Sequence, residues 1–223
     1  MCGRFALGDT DGTDWADWLA LDPEMDWPPT EWPTARWNVA PTQKVPMVID
    51  APGGRRAGPV RWGLIPHWWK QPLAEFRLTT FNARSEEAAA KPMFRDSWAR
   101  RRCLIPAIGW YEWSGPKGAK TPWFITIQRN TPGFWFAGLW SSVTLDGEKV
   151  VSCTILTTAA GEATKHLHPR SPVVLDEDQA TAWLAEPDPA LMRAPEDSRV
   201  QLWEADKSVG KVANDGPELM RAA

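Results

Sequence analysis

The chain of 223 residues holds only three cysteines, three histidines and one tyrosine. Cys2, Cys103 and Cys153 are an odd set with no secretory signal, which excludes a disulfide framework and points to a reducing compartment. His67, His166 and His168 share no zinc-ligand spacing with the cysteines, so no metal is expected. No apolar run is long enough to span a bilayer, so no membrane partner is expected. An excess of one charge is also missing: 25 Lys and Arg against 28 Asp and Glu leave a net −3, which does not advertise a nucleic-acid partner. Repeats and low-complexity tracts are absent. The expectation is a monomeric protein of the cytoplasm, of bacterial type, forming one domain over residues 2–223.

What is abundant is tryptophan, with sixteen residues. Some must be core, and so many also suggest a surface that stacks something. The charge is uneven. Arg61 to Arg102 carries nine Lys and Arg against four acids, whereas Asp176 to Asp206 carries nine acids against two Arg. A basic middle between acidic ends can form a local anion-binding patch, or it is chance clustering on a solvated surface.

Apolar periodicity predicts a short helix over Thr13 to Leu21 and an irregular Pro- and Trp-rich loop to Pro33. Strands are expected at Val45–Ile49, Pro59–Ile65, Cys103–Trp113, Trp123–Gln128, Phe134–Trp140 and Val150–Thr157. Short helices are expected at Ser85–Ala90 and Met93–Arg101, broken by Pro92. Asp176 and Gln179 have the spacing of a capping box that opens a helix through Leu184, and Asp188-Pro189 starts another. Antiparallel connections dominate, with helices toward the ends. The class is therefore α+β, built on curved antiparallel or mixed sheets that form an open barrel flanked by short helices.

The chain begins Met1-Cys2-Gly3-Arg4-Phe5. Removal of Met1 leaves Cys2 with a free α-amine, and an N-terminal cysteine is a 1,2-aminothiol. Its amine forms an imine with an aldehyde, and its thiol then closes on the imine carbon as a five-membered thiazolidine. The closure is intramolecular and strongly favoured. With an amine pKa near 8, roughly a tenth to a quarter is neutral near pH 7. A nearby ammonium is expected to help keep the thiolate ionised. The plain alternative is an accidental Cys in a loose terminus, which the alternation of Phe5 and Leu7 weakens.

Further segments set polar groups among aromatics: Arg36–Gln43, Arg61–Trp69, Phe81–Glu86, Gly109–Trp113 and His166–Leu175. With Met1–Phe5, the runs Asn38-Val39-Ala40-Pro41, Trp62-Gly63-Leu64-Ile65-Pro66, Asn82-Ala83-Arg84, Gly109-Trp110-Tyr111-Glu112-Trp113, His168–Leu175 and Val209–Asp215 make the chain resemble the SOS-response-associated peptidase (SRAP) proteins. Each run is weak alone, but their joint order and spacing is strong. The resemblance implies a thiazolidine crosslink between Cys2 and an abasic deoxyribose in single-stranded DNA, shielding the lesion. It also implies that Asn82, Glu112 and His168 surround Cys2 and that a basic concave face holds the DNA. Abasic-site lyase and self-processing activities are further expectations of this kind, as is association with the nucleoid when DNA is bound.

The residue types suit that chemistry. A carboxyl among aromatics, as Glu112 is, has a raised pKa and can act as acid and then base during opening of the closed sugar; alternatively it is a strand residue facing water. Asn82 can hold a sugar hydroxyl or orient the Cys2 amine, or it is a turn former. His168 can shuttle protons or bind phosphate, or it is structural. Arg4, Arg77, Arg84 and Arg170 are candidate phosphate ligands, or surface salt bridges. Asn38 and Pro41 are counted with the DNA contacts, as are Trp68 and Trp69, since an exposed indole stacks on bases. No cofactor is required. The rival readings are a cysteine peptidase acting on Met1 or other peptides, a DNA-binding module without chemistry, and a structural protein.

Overall fold

The chain, seen in a computed structural model, is described at residues 2–9, 13–20 and 35–222. Twelve strands are present among them: β1 (Phe5–Ala6), β2 (Lys44–Ala51), β3 (Gly54–Trp62), β4 (Asn82–Arg84), β5 (Arg102–Ala107), β6 (Gly109–Ser114), β7 (Thr121–Ile127), β8 (Phe134–Leu145), β9 (Glu148–Ala159), β10 (Arg170–Pro172), β11 (Val174–Leu175) and β12 (Val200–Glu204). Four α-helices accompany them: α1 (Thr13–Leu19), α2 (Ser85–Ala88), α3 (Arg95–Arg100) and α4 (Glu177–Ala185). The expected α+β class holds. The Pro- and Trp-rich loop expected up to Pro33 lies largely outside the described residues.

The larger sheet runs β10-β9-β3-β2-β5-β8-β11, and β8 also pairs with β9. That extra pairing closes five strands into a ring, so the barrel expected to be open is closed, and its ring strands have no free edge. Most pairings are antiparallel, but β3 and β4 each run parallel to β9. The β8–β9 hairpin turns on Asp146 and Gly147, both at positive φ (52° and 83°), the geometry of a primed two-residue turn. The smaller sheet, β1-β6-β7-β12, is antiparallel throughout.

Period-two alternation sorts the strands onto two apolar faces. Cys103, Ile105, Phe134, Phe136, Cys153 and Ile155 join a cluster with Cys2, Phe5, Trp62 and Trp110. Their neighbours Leu104, Trp135, Ala137 and Leu156 join a second cluster with Trp15, Leu19, Trp98 and Trp183 from α1, α3 and α4.

The single strand expected over Cys103–Trp113 divides at Ile108 into β5 in the barrel and β6 in the small sheet. Gly109 permits the switch: a Cβ there would lie 2.2 Å from the Phe124 ring and 2.7 Å from the Ile125 carbonyl. The capping box opens α4 as expected, with the Asp176 carboxylate accepting from the Gln179 N–H and the Gln179 amide from the Asp176 N–H. Arg102 closes α3 and α4 together, donating to the carbonyls of Trp98, Ala99, Trp183, Leu184 and Ala185.

The described tryptophans are chiefly buried or half-buried. Trp62, Trp110, Trp135 and Trp183 are essentially fully buried. The indole N–H of Trp62 reaches the Phe81 carbonyl at 2.8 Å, and that of Trp135 reaches Glu177 at 2.9 Å. Burial without such acceptors costs about 1–3 kcal/mol per group. Of the described tryptophans Trp68 stands out as exposed, at 43%.

Candidate functional site

The chain start is delivered by β1. Phe5 pairs with Trp110 on β6, and the Tyr111 N–H donates to the Arg4 carbonyl at 2.9 Å, which lays residues 2–4 alongside Tyr111–Trp113. On the other side Phe5 exchanges backbone bonds with Val39. Cys2 is thereby held rather than loose, and it is fully buried. The Asn82 side-chain amide donates to the Cys2 carbonyl at 2.8 Å. Asn82 itself is fixed by the parallel pairing of β4 with Ile155–Thr157 on β9. Its side-chain oxygen is buried without a hydrogen-bond partner.

Beside Cys2 lies a cleft of about 540 Å³ lined by Arg4, Phe81, Glu112, Trp113, Lys120, His168 and Gly210. Glu112 is only 5% exposed, and that burial pushes its carboxyl up to about 7. Burial, and next the Glu112 charge, hold the Cys2 thiol well above its ordinary range and outweigh the pull of a neighbouring ammonium. The ammonium acts in the expected direction, and burial counts for more than it does. The His168 Nδ1 lies 3.0 Å from the Arg170 amide nitrogen and 3.2 Å from the Arg170 carbonyl, so the Arg170 backbone holds the ring at that nitrogen. Burial lowers the imidazole pKa, so the ring is neutral near pH 7. The cleft thus pairs a carboxyl that exchanges protons near neutrality with a neutral imidazole and two cations.

A second cleft of about 450 Å³ shares Phe81 and adds Asn82, Arg84, Lys91 and Phe94. A third, of about 280 Å³, lies at the start of α4 among Trp18, Arg129, Asp176 and Arg199, and holds none of the expected site residues.

The expected DNA contacts divide into several groups. Asn38 is wholly buried: its amide nitrogen donates to the carbonyls of Val209, Lys211 and Asn214, and its oxygen accepts from Arg4 at 2.7 Å. A side chain so enclosed ties the chain together and presents no surface to DNA. Arg4 lines the cleft, but its guanidinium is engaged by Asn38 and the Val209 and Gly210 carbonyls. Asp215 completes this knot by accepting from the N–H groups of Trp37 and Asn38 and from Arg36. Arg170 is paired with both carboxylate oxygens of Glu86. Arg84 and Arg77 are exposed, Arg84 at the second cleft. Trp68 is exposed, whereas Trp69 packs edge-on against Phe76; neither these residues nor the half-buried Pro41 lines the main cleft.

Phe81 and Trp113 lay in segments singled out by their aromatic and polar mixture, and Gly210 in the Val209–Asp215 run that carried the resemblance, without a role given to any of them. Lys120 carried no signal, since it sits in a turn-rich link between strands. Among the described residues no group of three or more His, Cys, Asp or Glu is placed to hold a metal ion. Among the described residues no helix is long and apolar enough to cross a membrane.

The model of the SOS response associated peptidase (SRAP) family matches residues 1–212. The chain is 32% identical to the abasic site processing protein YoqW of Bacillus subtilis, over all of both chains. It is also 32% identical to the abasic site processing protein YedK of Escherichia coli, over 99% of both. A crystal structure of a protein from Bacteroides thetaiotaomicron superposes with a TM-score of 0.84 over the whole of both chains at 20% identity.

Proposed function

The chain belongs to the SOS response associated peptidase family, and from that premise we propose that it captures abasic sites in single-stranded DNA covalently through Cys2. Once Met1 is gone, the Cys2 amine attacks the ring-opened aldehyde to give a carbinolamine. Loss of water gives the imine, and addition of the thiol across the C=N bond closes the thiazolidine; one water leaves overall. Glu112 is suited to donate a proton as the sugar ring opens and to take one back as the thiol adds, because burial raises its pKa above the ordinary carboxyl range. His168 stabilises the hydroxyl that departs, and the Asn82 amide holds the Cys2 carbonyl and so aims the residue. The abasic nucleotide has no base to unstack, so it enters a cleft at low cost.

One observation carries this reading: the anchored terminus of Cys2 lies against Asn82 and beside a cleft that also holds Glu112 and His168. The names of the relatives, abasic site processing proteins, support the abasic site as the target. The buried, neutral thiol counts against a general cysteine peptidase, which needs an accessible thiolate. The test is incubation of the mature protein with single-stranded DNA made abasic by uracil removal. A denaturation-resistant adduct is expected with wild type and none with Cys2→Ala or with an acetylated Cys2. Salt-sensitive binding with no such adduct would leave only a DNA-binding module.

A further inference from the structure

We propose that Glu86, which touches neither Cys2 nor the cleft, is a positioning residue for this capture reaction, acting through Arg170 on His168. The inference rests on the aldehyde-capture reading above.

Glu86 sits on α2, four positions beyond Asn82, so one short segment reaches both halves of the site. Its two carboxylate oxygens accept from the two terminal nitrogens of Arg170 at 2.7 and 2.8 Å. This is the paired fork geometry that adds direction as well as strength. It differs from an ordinary surface ion pair because the Arg170 side chain is only 15% exposed, against 50% for Glu86. The same guanidinium donates to the Thr157 carbonyl on β9. Arg170 opens β10, a strand of three residues, and its own backbone, N–H at 3.0 Å and carbonyl at 3.2 Å, holds the His168 ring at Nδ1. Three links therefore run from Glu86 to the ring: carboxylate to guanidinium, guanidinium to β10, and β10 amide to imidazole. With the carboxylate removed, a largely buried guanidinium must seek new acceptors, and the residue it moves is the one whose backbone holds the imidazole at Nδ1.

An arginine poised for DNA phosphate with a carboxylate standing in its place makes the opposite prediction. There, loss of Glu86 frees Arg170 and speeds capture, so the sign of the effect decides.

The experiment uses the full-length mature protein with Glu86→Ala, Glu86→Gln, His168→Ala and the double variant Glu86→Ala/His168→Ala. Rates of adduct formation are measured on abasic single-stranded DNA, and 15N spectra of labelled histidine are recorded without DNA. Expected are a single tautomer for His168 in wild type and a mixture of tautomers in Glu86→Ala. Capture by Glu86→Ala should slow by roughly tenfold, a part of the 10²–10⁴ that a placed acid–base group supplies. Glu86→Gln keeps one acceptor and should fall between. The double variant should be no slower than His168→Ala alone. Faster or unchanged capture in Glu86→Ala, additive losses in the double variant, or an unaltered tautomer would overturn the proposal. If wild type forms no adduct, the capture reading falls, while the tautomer spectra still decide whether Glu86 positions His168.

Discussion

Replacing Glu112 by Gln should stabilise the protein at alkaline pH while slowing it as a trap. The gap between the ordinary 4.5 of this carboxyl and about 7 in the folded chain corresponds to about 3 kcal/mol, at ~1.36 kcal/mol per pH unit. The pKa is raised, so between pH 4.5 and 7 the folded state binds the proton that the unfolded state has released. Stability therefore falls as pH climbs through that window, and the penalty is complete above it. Gln has the shape of the protonated acid and never ionises. At pH 8 the variant should gain about 3 kcal/mol, which for a chain of this size raises Tm by roughly 6–12 °C. At pH 5 wild type is itself mostly protonated, and the gain should shrink to under ~1 kcal/mol. Scanning calorimetry of both proteins at the two pH values measures the difference. A Tm increment that is the same at pH 5 and pH 8, or a lower Tm for Gln at pH 8, would refute the burial argument.

Two other substitutions test the frame around the site. Asn38→Ala removes three donated bonds and the acceptor for Arg4; it should cost about 3 kcal/mol in urea unfolding and speed amide exchange across residues 209–215. Gly109→Ala drives a methyl into the Phe124 ring and should cost about 3 kcal/mol, whereas Gly58→Ala, with nothing within 4 Å of the new carbon, should change the urea midpoint little.

Local signals were the legible ones. The capping box is written in Asp176 and Gln179 because both partners lie within one turn, and the β8–β9 hairpin in Asp146-Gly147 because only a primed turn suits that pair. Closure of the barrel was not legible, since the ring also needs the pairing of β3 with β9, which joins segments about 90 residues apart by backbone bonds that no side-chain period records. The break at Ile108 was hidden for a related reason: the apolar run continues, and the clash that ends it comes from Phe124 on another strand. At the site, Cys2, Asn82, Glu112 and His168 were named from chemistry and resemblance. Arg4 and Asn38 show where residue type fails. A guanidinium or an amide suits a phosphate and a peptide carbonyl equally well, and only burial decides which one it meets. Glu86 was invisible because its part is set by the arginine it faces.

The knot made by Arg4, Asn38 and Asp215 fixes the order in which the site can come into being. One wall of the cleft is Gly210, and Arg4 leans on the carbonyls of residues 209 and 210. That stretch leaves the ribosome after every strand of both sheets, while Cys2 leaves first. Cys2 therefore waits through nearly the whole of synthesis before its surroundings exist. A product halted before residue 207 carries Cys2 but neither the wall at Gly210 nor the carbonyls that hold Arg4, so the chamber is a property of the nearly complete chain.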